Sequence, residues 1–275
     1  MAASRHPISV DRADLHEAFP EEPCGTAVLL LAGSSGRVEA ERAELLARHG
    51  ARVRAIRWFG GVGQRPVPHE VPIEMFIDQL DLLSSDSDRI AIFGTSFGAE
   101  AALVTASLHP VDATVGVAPS SVVWSGIADG DWSSHWTHRD APLPAVPFDP
   151  AWTPSTDPPE YRSLYESSLD RDPEITAAAT IRAERIGGAV VLVAGGDDRV
   201  WPSMRFVSEI VERRTAHGRQ TTVVTHPSAG HRLTLPGEAA ATGGTAMARG
   251  GTPAADAELG ARAWPEIVRA LSLRA

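Results

Sequence analysis

Lysine is absent from this chain, and all 25 of its Lys+Arg residues are arginine. That excludes Schiff-base chemistry on a lysine amine and phosphate binding by a P-loop lysine; a coding bias toward arginine is the plainest source. Cysteine is nearly absent as well. Cys24 stands alone, so no intrachain disulfide forms and a reducing compartment fits best. It lies before the first apolar strand, far from any base-like motif, and reads as inert. Long apolar runs are missing: residues 27–32 fall far short of the roughly 20 apolar residues that span a bilayer. The opening Met-Ala-Ala-Ser-Arg-His-Pro has no apolar core of signal-peptide length, so a cytoplasmic location is expected. A basic surplus is missing too. The formal charge of -10 counts against nucleic acid as a partner, because phosphate binding needs a basic face. No strong metal-ligand spacing is visible among the histidines and acids, and no cofactor is expected.

What is present is a chain of 275 residues with 43% hydrophobic and 22% charged content, the profile of an ordinary globular domain. Residues 1–23 are polar, carry Pro7, Pro20 and Pro23, and read as a lead-in. From residue 24 onward strand-like and helix-like patterns alternate. Residues 26–32 form a continuous apolar run, as in a strand buried on both faces. A helix with apolar spacing follows over 39–49 and closes at Gly50. A strand over 53–59, a helix over 72–83, an apolar strand at 90–93, an alanine-rich helix to about Leu108 and a strand at 113–118 continue the series. The pattern resumes with a strand at 189–194, a helix after Pro202, a strand at 221–225, a glycine-rich loop over 236–251 and a final helix over 254–273. This alternation predicts an α/β fold with a mostly parallel central sheet and a site at the C-terminal ends of its strands.

Residues 119–184 break the pattern. They carry Trp124, Trp132, Trp136 and Trp152, both tyrosines and a proline-rich middle. Aromatic density argues against disorder. The stretch reads as a cap or an acyl-pocket wall, with Trp124, Trp132 and Trp136, together with Trp201 further on, as candidate substrate contacts.

The strand at 90–93 runs into Gly94-Thr95-Ser96-Phe97-Gly98, a G-x-S-x-G turn. A serine at a sharp strand-to-helix bend occupies a strained backbone region, and flanking glycines remove the Cβ atoms that would collide there. The pattern marks Ser96 as a candidate nucleophile. The Phe97 N–H, at the helix start, is a candidate oxyanion donor. A serine hydroxyl needs a base, and the base needs an orienting acid. In chain order the acid is due after the strand that follows the insertion, where Asp197-Asp198 sits, and the histidine after the next strand. Asp198 is preferred over Asp197 because Gly195, Asp198, Trp201 and Pro202 fit a G-x-x-D-x-x-[apolar]-P pattern. Asp197 then reads as a turn residue that bonds backbone N–H groups. His231 is preferred over His226, which sits at a strand end before Pro227. His49, His109 and His217 read as helix-end partners, and His135 and His138 as surface positions, with pocket lining the alternative. The Gly33-Ser34-Ser35-Gly36 loop is due to supply a second oxyanion donor, placed at Ser34.

The phrases that carry this chemistry also resemble a family. The Gly33–Gly36 loop, Pro72-Ile73-Glu74-Met75-Phe76, the elbow through Glu100, Gly196-Asp197-Asp198 with Trp201-Pro202-Ser203, His226 to His231, and Gly250-Gly251-Thr252-Pro253 leading to Trp264 are similar to the catalytic domain of the acyl-CoA thioesterase and bile acid-CoA:amino acid N-acyltransferase family. The resemblance runs roughly from Thr26 to Leu273. It implies an α/β-hydrolase fold over 24–275, with 119–184 as cap or pocket-wall insertion, and a triad of Ser96, Asp198 and His231. It also implies cleavage of an acyl thioester, on coenzyme A or a carrier protein, through an acyl-enzyme. Members that transfer to amino acids typically carry a cysteine nucleophile, so serine at 96 favours water as acceptor. Animal members carry an N-terminal β-sandwich where this sequence has residues 1–23, which leaves the bile-acid or long-chain substrate open. An oxygen-ester hydrolase of the esterase or dienelactone type, an acyltransferase to an amine or hydroxyl, and a non-catalytic binding protein are the alternatives. Arg37 and Arg232 read as solvated surface side chains, with contact to a phosphate of the thiol carrier as the alternative role.

Overall fold

In the computed structural model, which describes residues 6–239 and 246–274, a seven-stranded sheet runs through the molecule. Its strands are β1 (Leu15–Ala18), β2 (Thr26–Leu31), β3 (Arg52–Ile56), β5 (Arg89–Thr95), β6 (Ala113–Val117), β11 (Ala189–Gly195) and β12 (Thr222–His226). Their order across the sheet is β1-β3-β2-β5-β6-β11-β12. All neighbours pair in parallel except β1, which runs antiparallel to β3 with Leu15 opposite Ile56.

The helices are α1 (Ala40–Arg48), α2 (Glu74–Ser84), α3 (Phe97–Leu108), α4 (Arg162–Arg171), α5 (Pro173–Ala178), α6 (Ser203–Ala216) and α7 (Pro253–Ala270). Helices α2, α3 and α6 pack on one face of the sheet and α1 and α7 on the other, as a parallel sheet demands. Helices α4 and α5 belong to the insertion. Side-chain alternation along each strand divides the core accordingly. Ala27, Leu29 and Leu31 of β2 join Phe76 and Leu80 of α2, Leu103 of α3 and Ile210 of α6. Val28 and Leu30, the residues between, join Leu46 of α1 and Leu259 and Ile267 of α7. Each fully buried leucine contributes about 2 kcal/mol of transfer free energy, so the two layers are the main source of stability.

Several local expectations shift. The lead-in is no mere tail: Asp14 is buried and bonds the Val62 N–H at 2.8 Å, and β1 extends the sheet by an edge strand. Its half-buried Leu-His-Glu-Ala gives little apolar signal. The strand expected over 53–59 ends at Ile56, and the helix expected from Pro72 starts at Glu74. Val71–Pro72 is instead a short strand, β4, paired with the insertion. The final helix is Pro253–Ala270. Residues 240–245 of the expected glycine-rich loop lie outside the described residues.

The insertion is ordered. It holds the hairpin β7 (Ser125–Ala128) and β8 (Asp131–Ser134), then β9 (Trp136–His138) and β10 (Ala141–Pro142), which with β4 make a three-stranded sheet, and then α4 and α5. Its own apolar cluster of Val122, Trp124, Val146, Tyr165 and Leu169 closes on Trp201 and Phe206. Among the described residues no helix is long and apolar enough to cross a membrane.

Candidate active site

Four loops meet at the C-terminal edge of the sheet, following β2, β5, β11 and β12 in turn. The loop after β5 is the sharpest. Ser96 takes φ 57° and ψ -124°, a left-handed backbone that costs a non-glycine residue about 1–3 kcal/mol. Close packing explains why its flanks are glycine. A Cβ at Gly98 would sit 2.6 Å from the Leu31 carbonyl oxygen, and one at Gly94 2.6 Å from the Ala99 nitrogen. Side chains there would push the helix off the strand. The bend starts α3 immediately after the serine, so the Phe97 N–H belongs to the helix's first turn, where no intrahelical acceptor exists.

The loop after β11 carries Asp198, the expected acid. Asp198 is 1% exposed, and all its acceptor positions are used. Oδ1 accepts the N–H groups of Val200 at 2.9 Å and Trp201 at 3.3 Å; Oδ2 accepts the Ser203 hydroxyl and faces His231 Nδ1 at 2.8 Å. The other imidazole nitrogen, Nε2, lies 2.9 Å from Ser96 Oγ. Ser96, His231 and Asp198 therefore form one continuous hydrogen-bonded chain. The order is legible from the fold: β6 separates β5 from β11, and the histidine loop after β12 reaches back across the edge. Trp201 stands edge-on to the His231 ring, with centroids 5.6 Å apart, and limits its rotation.

Asp197 does different work. Its Oδ2 accepts the Gly251 N–H at 2.9 Å and its Oδ1 bonds Arg199 at 3.1 Å, which ties the acid loop to the segment entering α7. The Gly251 N–H, and after it Arg199, hold its carboxyl below the usual carboxylate range. Asp256 secures the histidine loop by accepting the Gly230 N–H at 2.8 Å; burial pushes its carboxyl above the usual range. The rival histidine, His226, sits at the end of β12, with Nδ1 accepting the Ser228 N–H and Nε2 3.2 Å from Glu258. It takes no part in the Ser96 chain.

The loop after β2 presses on Ser96: a Cβ at Gly33 would lie 2.9 Å from Ser96 Cβ. Ser34 and Ser35 sit at its turn and border a small cavity, about 110 Å³, that opens onto Ser96 and His231. Thr95, Val200, Leu233 and Met247 form further parts of its wall.

The tryptophans expected to contact substrate are placed otherwise. Trp136 is fully buried among Trp58 and Phe76 in the core, and Trp124 is fully buried against Tyr165 and Phe148. Trp201 is fully buried between Phe97 and Phe206, and Trp132 is 51% exposed on the β7–β8 hairpin. None of the four borders the Ser96 cavity, and neither does any other described residue of 119–184. Trp124 and Trp201 close the insertion's own core and Trp136 ties it to the main one, because a 66-residue excursion needs buried apolar area to be ordered at all. His135 also departs from its expected surface position. It is 2% exposed, 3.3 Å from the buried Glu100 carboxylate of α3. His138 lies 3.0 Å from Glu74.

Sequence reasoning missed Glu100. It is fully buried and accepts the Trp136 Nε1–H at 2.7 Å and the Trp124 N–H at 3.0 Å. The signal was available: one acid inside an otherwise apolar helix needs a partner. Ser203 and the Arg42–Glu238 pair (2.6 Å), beneath the cavity, were also missed. Arg42 donates to Thr95 Oγ1 at 3.2 Å, directly before the nucleophile.

Known proteins resemble this chain in sequence and in fold. Residues 71–272 match the model of the family described as BAAT / Acyl-CoA thioester hydrolase C terminal. Human acyl-coenzyme A thioesterase 6 is 25% identical over 262 residues, which are 90% of this chain and 60% of that protein. The chain thus spans well under two thirds of this relative's length. Among solved structures, a provisionally named dienelactone hydrolase from Klebsiella pneumoniae matches with a TM-score of 0.57 at 13% identity, over 94% of this chain and 98% of that one. Est1E of Butyrivibrio proteoclasticus, solved with ferulic acid, matches with a TM-score of 0.50 at 14% identity, over 78% and 86%. The shared architecture is the α/β-hydrolase fold.

Proposed function

Because the chain belongs to the BAAT / acyl-CoA thioester hydrolase C-terminal family, we propose that it is a hydrolase that cleaves an acyl thioester with Ser96 as nucleophile. The observation that carries the reading is the unbroken chain from Asp198 through His231 to Ser96, with contacts of 2.8 and 2.9 Å. Asp198 accepts from Nδ1–H and so keeps Nε2 free as a base. Ser96 Oγ attacks the acyl carbonyl carbon while Nε2 takes its proton. The tetrahedral oxyanion is held by the Phe97 N–H and by the Ser34 N–H of the loop after β2, each such donor contributing about 3 kcal/mol. The C–S bond breaks, the thiol departs with the proton from His231, and the acyl group stays on Ser96 as an ester. His231 then deprotonates water, which attacks the ester carbonyl, and the acid leaves as Ser96 regains its proton.

The serine favours water over an amine as acceptor, and the expected intracellular working place is the cytoplasm. A fluorophosphonate probe tests the nucleophile. Wild type should be labelled at Ser96 and should hydrolyse acyl-CoA; Ser96→Ala should do neither. Equal labelling of Ser96→Ala would sink the assignment. A strong preference for oxygen esters at matched acyl length would move the substrate to the esterase class.

A further inference from the structure

Ser203 is the first residue of α6, and its hydroxyl turns away from its own helix. Pro202 stands before it as N-cap and makes no side-chain cap bond. The Ser203 hydroxyl instead donates to Asp198 Oδ2, across the acid loop. Both residues are 1% exposed, so the contact is sealed from water. A carboxylate can only accept, which fixes the direction of the bond: the proton lies on the serine oxygen and points at Oδ2.

The donors on Asp198 divide between its two oxygens. Oδ1 takes the main-chain N–H groups of Val200 and Trp201, while Oδ2 takes Ser203 and His231. That division matters because the terminal torsion of an aspartate is broad and roughly two-fold. Two bonds to Oδ1 fix where that oxygen lies and leave the carboxylate plane free to turn about it. Ser203 pins the other end. With Oδ2 held, its remaining lone pair faces His231 Nδ1 at 2.8 Å, and Nε2 is presented to Ser96 Oγ at 2.9 Å. An error at Oδ2 therefore passes through the imidazole to the atom that faces the Ser96 hydroxyl.

The pin is set in a rigid element. Phe206, Val207 and Ile210, on the turns that follow Ser203, are buried in the apolar clusters beneath the sheet and the insertion. A support built on a packed helix is held more exactly than one on a loop.

We propose that Ser203 is a positioning residue, whose hydroxyl holds Asp198 Oδ2 in the plane that aims the His231 imidazole at Ser96. The assignment rests on the hydrolase reading above and deepens it, extending the chain from Ser96 through His231 and Asp198 into the start of α6. Ser203 touches neither substrate nor the reacting atoms, and no bond is made or broken at it.

Three variants grade the donor at similar volume. Ser203→Thr keeps the hydroxyl, Ser203→Cys replaces it with a weak S–H donor, and Ser203→Ala removes it. Two readouts on the full chain follow them: the rate of fluorophosphonate labelling at Ser96, and the low-field proton NMR resonance of the His231 Nδ1–H. Labelling should fall about 10–100-fold in Ser203→Ala and stay within about threefold of wild type in Ser203→Thr, because a misplacement of about 1 Å can cost about 10²-fold. Ser203→Cys should fall between them, and its comparison with Ser203→Thr serves if Ser203→Ala does not fold. The resonance should move upfield in Ser203→Ala as the Nδ1–H···Oδ2 bond lengthens. A serine that only stabilises the fold would lower the melting temperature and leave both readouts of the folded protein unchanged. That result, or a resonance that moves downfield because the His231–Asp198 bond has tightened, would overturn the assignment while leaving hydrolysis intact. A wild type that is not labelled, with a resonance that still moves upfield in Ser203→Ala, would instead overturn the hydrolase reading and leave the positioning link standing.

Discussion

Glu100 is the tie between the nucleophile helix and the insertion, and its removal should be costly in a calculable way. The side chain is fully buried in the first turn of α3. It reaches residues of the insertion at three points: the Trp136 indole at 2.7 Å, the Trp124 backbone N–H at 3.0 Å and His135 Nδ1 at 3.3 Å. Hydrogen bonds to a charged group contribute about 1.5–3 kcal/mol each, and a buried donor left unmatched costs about 1–3 kcal/mol. The two short contacts should therefore account for about 4 kcal/mol, and the 3.3 Å contact with the vacated volume for about 1 kcal/mol more. Glu100→Ala should then lose about 5 kcal/mol, a large share of the roughly 5–15 kcal/mol that holds a typical protein folded. At about 2–4 °C per kcal/mol, its Tm should fall by about 10–20 °C.

Glu100→Gln separates the tie from mere volume. The amide oxygen still accepts from both short donors, and its NH2 can donate to a neutral His135. Loss should stay near 1 kcal/mol, or about 2–4 °C. Differential scanning calorimetry reads both variants, and limited proteolysis within 119–184 shows which segment opens first. A functional consequence follows from packing. The Phe97 ring sits between His135, 4.5 Å away, and Trp201, 5.7 Å away, so releasing His135 should loosen the residue whose N–H is the proposed oxyanion donor. A Tm for Glu100→Ala within 2 °C of wild type would refute the tie.

Two further predictions concern the paired aspartates. Asp198→Asn keeps the acceptor for Val200 but presents an N–H to His231 Nδ1, which favours the wrong tautomer; kcat should fall about 10⁴-fold by thiol release, and a loss under tenfold would refute the acid assignment. Asp197→Asn should leave kcat within about threefold and act on acid stability instead. Because the folded carboxyl is held below its ordinary value, its stabilisation is present above the unfolded pKa near 3.9 and is lost as pH falls through the lower, folded value. The gap in denaturation midpoint between wild type and Asp197→Asn should close below about pH 4; a gap that widens there would reverse the sign.

The parts legible in the sequence share one property: the constraint and the residues that answer it are close in the chain. The elbow is readable because Gly94 answers Gly98 and Ala99 only a few residues on; Gly98 itself answers Leu31 and Ala32 at the end of β2, and the short G-x-S-x-G pattern brings it into view. The buried strands are readable because both faces of β2 are covered, which keeps every position from 27 to 31 apolar. The acid and base loops follow from strand order, once the sheet is parallel. What stayed hidden depends on partners far along the chain. Glu100 meets residues 24 to 36 positions away, and nothing local distinguishes a tryptophan that closes a core from one that lines a pocket. The edge strand β1 is hidden for a related reason: one partner and half-burial let polar side chains remain, so Leu-His-Glu-Ala carries no alternation to read. The basic rim of the Ser96 cavity is the extreme case, since it assembles arginines from positions 37, 232 and 249. In the chain these are only scattered arginines, which composition cannot tell from solvated ones.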